Sequence, residues 1–332
     1  MRKLVIQIPC YNEAAALPET LAQLPREVEG FDRVEWLVID DGSEDDTAIV
    51  ARHGGADHVV RLQRHVGLAR AFTRGLEEAL AAGAHVVVNT DADNQYRADD
   101  IPLLTAPILA GTADIVVGER PVGATAHFSR QKKILQRVGS WVVRKTSGTE
   151  VRDAVSGFRA MSRSAAMQLK VFNDFSYTVE TILQAGYKGL AVESVPVRTN
   201  APVRESRLVR SNSRFVLRQA LTIIRIFMTY RPFQFFATPG AVSFLAGFLL
   251  GLRFLLHYLA GNGAGKVQSL ILAALLMGSG LLLVIIGLVA DLIAVNRKLL
   301  EGIDARVRRL EEATAGSPAA TRAADPAAPW RE

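Results

Sequence analysis

Two apolar runs set close together constrain this chain more than any other feature. Phe233 to Tyr258 and Val267 to Ala290 are nearly free of charge, and each is long enough to span about 30 Å of hydrocarbon. Arg253 and His257 interrupt the first run in its last two turns, where long polar side chains can reach back to the interface. The linker Gly261-Asn262-Gly263-Ala264-Gly265-Lys266 allows only a short reversal. The spacing therefore predicts a transmembrane hairpin over 233–290, with both flanks on one side. Arg225, Arg231, Arg297, Lys298, Arg306, Arg308 and Arg309 crowd those flanks, so that side, with both termini, is expected to be cytoplasmic and the chain an integral protein of the cytoplasmic membrane. Residues 204–232 alternate Arg204, Arg207, Arg210, Arg214, Arg218, Arg225 and Arg231 with apolar side chains, which predicts basic amphipathic helices in the membrane interface. A cytoplasmic amphipathic helix is expected over 291–313, and a disordered tail rich in Ala, Pro and Thr over 314–332.

The remaining residues, 1–203, read as one cytoplasmic α/β domain. Short runs rich in β-branched residues predict strands over 4–9, 34–39, 59–62, 85–89 and 115–118. Helical spacing predicts helices over 13–25, 67–82 and 100–110, with Asp45 or Asp46 capping another after the second strand and Asp99 capping the last. Strands alternating with helices imply a mostly parallel sheet covered on both faces. The chain opens directly on a strand, and no secretory leader is expected. The single cysteine, Cys10, excludes an intrachain disulfide and reads as a small buried hydrophobe. The net charge of +6 fits anionic lipid or phosphorylated substrates. No zinc-finger spacing, RNP-like strand or helix-turn-helix signal supports nucleic acid as the partner.

Ligands of such sheets bind at the carboxyl ends of the strands. Three predicted strands run straight into polar clusters: Tyr11-Asn12-Glu13, Asp40-Asp41 and Asp91-Ala92-Asp93. An Asp-x-Asp alone also reads as turn residues. Placed on one rim with other acids, Asp91 and Asp93 suit Mg²⁺ or Mn²⁺, ions that bind through one or two carboxylates plus substrate phosphates. Gln95 can add a neutral oxygen.

Ile8-Pro9-Cys10-Tyr11-Asn12-Glu13, Asp40-Asp41-Gly42-Ser43-Glu44-Asp45-Asp46-Thr47 and Asp91-Ala92-Asp93-Asn94-Gln95 resemble the signature of family 2 glycosyltransferases of the GT-A fold. Asp153-Ala154-Val155-Ser156-Gly157-Phe158-Arg159 resembles an element of the dolichol-phosphate mannose synthase branch. Arg204-Glu205-Ser206-Arg207-Leu208 resembles that branch's Gly-Glu-Ser-Lys-Leu loop, with Arg in place of Gly at 204 and of Lys at 207. The segment Gly287 to Arg297 is similar to its membrane-anchored bacterial and archaeal members. The resemblance covers about residues 1–310. It implies a nucleotide-sugar donor, with Pro9, Tyr11, Asn12, Glu13, Ile39 and Asp41 lining the base and ribose. It places Asp91 and Ala92 near ribose and phosphates, and Asp93 and Gln95 on the metal with the diphosphate. Asp91, Asp93 and Asp153 are the expected catalytic residues; Asp153 could instead orient Arg159 or a neighbouring loop.

A sugar hydroxyl acceptor would need a general base to take its proton. A phosphate monoester is already anionic and needs cations instead. Arg120, Lys132, Lys133, Arg137, Arg204 and Arg207 are available, and beside a membrane hairpin they favour a polyprenyl (dolichyl or undecaprenyl) phosphate. The expected activity is therefore inverting transfer of mannose or glucose from GDP-mannose or UDP-glucose to that lipid. A processive polysaccharide synthase is the alternative, but its Gln-x-x-Arg-Trp pentapeptide does not occur in this sequence. An inactive nucleotide-sugar-binding subunit is a third reading, against which the Asp91, Asp93 and Gln95 set argues. The hairpin and amphipathic helix offer surfaces for a homo-oligomer, and no motif demands one.

Overall fold

Strand β1, Lys3–Cys10, is buried at every position from Leu4 onward, as an apolar run covered on both faces must be. In the computed structural model, which describes residues 1–121, 130–171, 177–200, 221, 224–225, 227–261 and 267–315, β1 lies inside a seven-stranded sheet. The other strands are β2 (Arg33–Asp40), β3 (His58–Arg61), β4 (Val86–Asn89), β5 (Ile115–Glu119), β6 (Arg159–Ser162) and β7 (Val192–Pro196). Their spatial order is β3-β2-β1-β4-β6-β5-β7. The five strands expected from sequence stand within one residue of their predicted bounds.

Helices α1 (Leu17–Gln23), α2 (Thr47–His53), α3 (Leu68–Ala81), α4 (Ile101–Leu109), α5 (Arg130–Ser147), α6 (Arg163–Gln168) and α7 (Thr178–Lys188) complete the first unit, Met1–Ile226. Leu4, Ile6 and Ile8 of β1 pack with Leu17 and Leu21 of α1, Val86 and Val88 of β4 and Ile101 and Leu104 of α4. Helix α3 packs against β1 and β2, with Gly75 close upon Gln7 and Ile39. Burial of each such Leu, Ile or Phe contributes about 1.5–3 kcal/mol. Cys10 is buried, as expected, and desolvation pushes its thiol well above the usual range.

Two local expectations change, and a third is resolved between its two alternatives. Helix α1 starts at Leu17, not 13, because Asn12 takes a left-handed backbone (φ 55°) and Glu13 closes a turn onto Ala16 and Leu17. Asp99 does not cap α4; it pairs with Arg97, while Asp100 receives the Arg198 backbone N–H and guanidinium. Ahead of α2 it is Asp45 that accepts the Thr47 N–H, at 3.1 Å. The sheet is mostly parallel, yet β6 runs antiparallel between β4 and β5, with Asn89 opposite Arg159. An antiparallel strand begins where its neighbour ends. Residues 153–158, which lead into β6, are thereby delivered to the rim on which β4 ends.

The second unit, Phe227–Glu332, contains α8 (Pro232–Leu259) and α9 (Val267–Ala315). Both are long and apolar enough to cross a membrane, with mean hydropathy 1.8 and 2.7 over their best segments. They pack antiparallel through small residues. A Cβ on Gly240 would lie 2.8 Å from the Gly280 carbonyl, and one on Gly247 would lie 2.7 Å from the Ala273 carbonyl. Ser243 Oγ donates to the Leu276 carbonyl at 2.9 Å. The outer surface exposes Leu245, Phe248, Leu281, Leu282 and Ile285, an apolar face suited to lipid rather than water. The amphipathic helix expected over 291–313 is not separate: α9 runs unbroken to Ala315. Most of 204–232, the hairpin turn and the tail from 316 lie outside the described residues.

Candidate active site

The rim starts at the end of β1. Asn12, left-handed, latches this turn to the one after β2: its N–H donates to Ser43 Oγ at 2.9 Å, and its Oδ1 accepts the Glu44 N–H at 2.8 Å. The Glu13 N–H donates to Thr47 Oγ1 at 2.9 Å. Pro9 and Ile39 are register partners on β1 and β2, both buried within the sheet.

Asp41 is buried, and both of its oxygens are engaged. Oδ1 accepts the Val66 N–H and Oδ2 the Gly67 N–H, each at 2.9 Å, and His65 Nδ1 lies 2.8 Å from Oδ2. Gly42 permits this: its φ is +69°, and a Cβ there would stand 2.5 Å from the Arg64 carbonyl carbon. The result is that the His65 ring stacks on Tyr11, with centroids 3.9 Å apart. Asp41, expected to line base and ribose, thus holds the loop that carries His65. No sequence signal singled out His65, because the contact is made across two loops.

At the end of β4 exposure alternates. Asp91, Asp93 and Gln95 keep solvent access, while Ala92, Asn94 and Tyr96 are buried. The buried members are fixed. The Ala92 carbonyl accepts from Thr20 at 2.8 Å, Asn94 donates to Glu19 at 3.1 Å, and the Tyr96 hydroxyl accepts the Gly157 N–H at 3.1 Å. Asp93 Oδ1 accepts the Gln95 N–H at 3.2 Å. Burial first, and then repulsion from Asp93, pushes the Asp91 carboxyl up to about 7, against the pull of Arg120 and Arg159. Two neighbouring carboxylates beside a neutral amide form a donor set that suits a divalent cation, whose charge would relieve the repulsion felt at Asp91. Among the described residues no group of three or more His, Cys, Asp and Glu could hold an ion unaided.

Beneath Asp91 lies a buried polar layer that sequence reasoning did not assign. Asn89 accepts from Gln7 Nε2 at 2.9 Å and donates to the Gly157 carbonyl at 2.9 Å and to the Tyr177 hydroxyl at 2.8 Å. Tyr177 stacks on Phe72 at 3.8 Å. Arg159 is fully buried and donates to the Thr178 carbonyl, Thr181 Oγ1 and the Ser156 carbonyl. Burial holds its guanidinium below the usual value, although Tyr177, Tyr96, Asp153 and Asp91 act the other way.

Asp153 pairs with Arg120, not with Arg159. Arg120 Nε donates to Oδ2 at 2.7 Å and Nη2 to Oδ1 at 3.1 Å. Burial opposes the Arg120 charge, yet Tyr96, Asp153 and Asp91 raise its pKa above the ordinary guanidinium value. Of the other expected acceptor cations, Lys132, Lys133 and Arg137 fall on α5, and their side chains lie outside the described set. Arg204 and Arg207 lie outside the described residues altogether.

Comparison with known proteins agrees with this geometry. Residues 5–170 match the glycosyl transferase family 2 model. Glycosyltransferase AglJ of Haloferax volcanii is 27% identical over 317 residues, covering 90% of this chain and 96% of the relative. The undecaprenyl-phosphate mannosyltransferase of Micrococcus luteus is 30% identical over 207 residues, 59% of this chain and 83% of the relative. The crystal structure of glucosyl-3-phosphoglycerate synthase from Mycobacterium tuberculosis with Mn²⁺, UDP and glucosyl-3-phosphoglycerate superposes with a TM-score of 0.53. It is 27% identical and the match covers 67% of this chain and 80% of that one. With a GT-A sheet, acids at the ends of β1, β2 and β4 and a match over half its length, this chain is a member of glycosyl transferase family 2.

Proposed function

We propose that the protein transfers a single sugar, mannose or glucose, from its nucleotide diphosphate to a polyprenyl phosphate at the cytoplasmic face of the membrane. The observation that carries this reading is the pairing, in one chain, of the partly accessible Asp91, Asp93 and Gln95 with two helices long and apolar enough to span a bilayer. The named activity of the Micrococcus luteus relative supports a lipid phosphate as acceptor. The flanking cations support a hairpin with both ends cytoplasmic.

Asp91, Asp93 and Gln95 would hold Mg²⁺ or Mn²⁺ against the donor diphosphate. When bound, the ion would neutralise charge on the departing nucleoside diphosphate. Tyr11 and His65 form an aromatic wall at the β1–β2 end of the rim, suited to a nucleobase. An acceptor phosphate oxygen attacks the anomeric carbon as the bond to the diphosphate oxygen breaks. The phosphoryl oxygen carries no proton at neutral pH, so no base is required. One displacement inverts the anomeric centre. Cations, Arg120 first among the described residues, hold the attacking anion near a donor that is itself anionic.

The test uses full-length protein in liposomes with Mn²⁺ or Mg²⁺, radiolabelled GDP-mannose, UDP-glucose and other nucleotide sugars, and undecaprenyl or dolichyl phosphate. A lipid-linked monosaccharide is expected from one donor. No lipid-linked product from any donor would sink the reading, and long polymer would mark a processive synthase instead.

A further inference from the structure

Asp153 lies at the rim, and an acid there invites the role of general base. Its surroundings argue otherwise. Its side chain is only 2% exposed and Arg120's only 14%. Both Asp153 oxygens accept from Arg120, and the Arg120 backbone N–H approaches Oδ2 at 3.4 Å as well. Such two-point contact fixes the plane and direction of the guanidinium, which a single contact cannot. The loop is itself anchored: the Asp153 carbonyl accepts the Ser156 N–H at 3.2 Å, and the Ala154 N–H donates to Ser140 Oγ at 3.3 Å. Arg120 follows directly on β5, whereas Asp153 approaches β6. The pair therefore sets the height of the guanidinium over the rim. Arg120 also lies close enough to Asp91 to stabilise its negative charge. One guanidinium is thus held between a fixed buried carboxylate and the donor end of the site.

We propose that Asp153 is a positioning residue: it orients Arg120 so that the guanidinium edge turned away from Asp153 receives the phosphate oxyanion of the acceptor. The inference rests on the lipid-phosphate reading above and gives Asp153 no part in proton transfer. Both of its oxygens already accept from Arg120, and the nucleophile has no proton to give.

Two measurements on the full-length protein test it. In the first, decyl phosphate is titrated against wild type, Asp153→Asn and Arg120→Lys, with thermal stabilisation as readout. Wild type should be stabilised, and both variants should need at least about tenfold more ligand, since one charge-assisted hydrogen-bond geometry is lost. In the second, steady-state transfer is compared. Asp153→Asn should raise KM for polyprenyl phosphate while donor KM, Mn²⁺ affinity and the pH profile of kcat stay near wild type. Arg120→Lys with Asp153→Asn should cost little more than either alone. Loss of an ionisation from the kcat profile with acceptor KM unchanged would make Asp153 a base and overturn the inference. So would equal damage to donor and acceptor KM, the mark of a merely structural residue. A wild type that binds decyl phosphate through Arg120 and Asp153 but transfers no sugar to lipid would leave the positioning role standing and fail the function alone.

Discussion

Gly157 and the Asp91 carboxylate are in direct apposition: a methyl group on Gly157 would lie 2.9 Å from Oδ1 and 3.1 Å from Oδ2. The same methyl would meet the Tyr177 hydroxyl at 3.1 Å. The Gly157 backbone cannot retreat, because its N–H is held by Tyr96 and its carbonyl by Asn89. Gly157→Ala should therefore push Asp91 by several tenths of an ångström. Since misplacement by about 1 Å can cost about 10²-fold in rate, a loss of kcat on the order of tenfold or more is expected. Mn²⁺ affinity, read by electron paramagnetic resonance, should fall with it. Wild-type affinity and rate in Gly157→Ala would show that the turn does not support Asp91.

Asp93→Ala should abolish transfer while leaving the fold intact. The side chain is partly exposed, and it accepts a local hydrogen bond from the Gln95 N–H, so its loss should cost no more than about 1 kcal/mol of stability. Circular dichroism and thermal unfolding check the second half of this statement, and the lipid-product assay the first. Full activity would remove Asp93 from the metal site.

Glu35 offers a stability test far from the chemistry. It is buried on β2, with Lys3 Nζ at 3.0 Å, Arg33 Nε at 2.7 Å and His58 Nε2 at 3.0 Å. Burial alone would raise its carboxyl, but hydrogen bonds from His58 and Lys3 and the charges of Lys3 and Arg33 win, and it stands below the ordinary glutamate value. A carboxyl lowered by folding stabilises the protein above its unfolded value, and that contribution disappears as pH falls through the folded value. Glu35→Gln should lower Tm at pH 7, and the Tm difference should shrink as pH drops below about 4, in the lower carboxylate range. A pH-independent difference would assign the effect to packing.

The hairpin depends on backbone contact at Gly280. A Cβ there would stand 2.6 Å from the Gly240 carbonyl and 2.6 Å from the Phe244 nitrogen. Gly280→Leu should separate the helices, with overpacking costing about 1–3 kcal/mol. Ser243 and Ser279 have hydroxyls 3.3 Å apart. Cysteines at those two positions should crosslink under mild oxidation in the parent and much less with Gly280→Leu. Equal crosslinking would contradict the register.

Much of the fold was legible because its signals are local. Five strands, the acidic turns that end three of them and the two apolar helices each follow from short stretches of sequence. β6 and β7 were not assigned. β6 has four residues, Arg159–Ser162, two of them polar, too few for a period to show. The alternation that leaves Asp91, Asp93 and Gln95 accessible could be expected from an Asp-x-Asp-x-Gln spacing. The reason the alternation holds could not, since Ala92, Asn94 and Tyr96 are fixed by Thr20, Glu19 and Gly157 from distant segments.

The sequence by itself determined the family, the acidic rim and the apolar hairpin, because residue type and spacing along one strand or helix suffice for each. Only the tertiary structure decided what the charged groups do. Asp41 secures the His65 loop, and Asp153 takes Arg120 rather than Arg159. It also made Gly157, an ordinary turn residue in sequence, the surface against which Asp91 rests. Ion pairs and close approaches depend on distances between segments. At Asp153 and Gly157 those distances follow from the antiparallel entry of β6 beside β4, with Arg159 opposite Asn89.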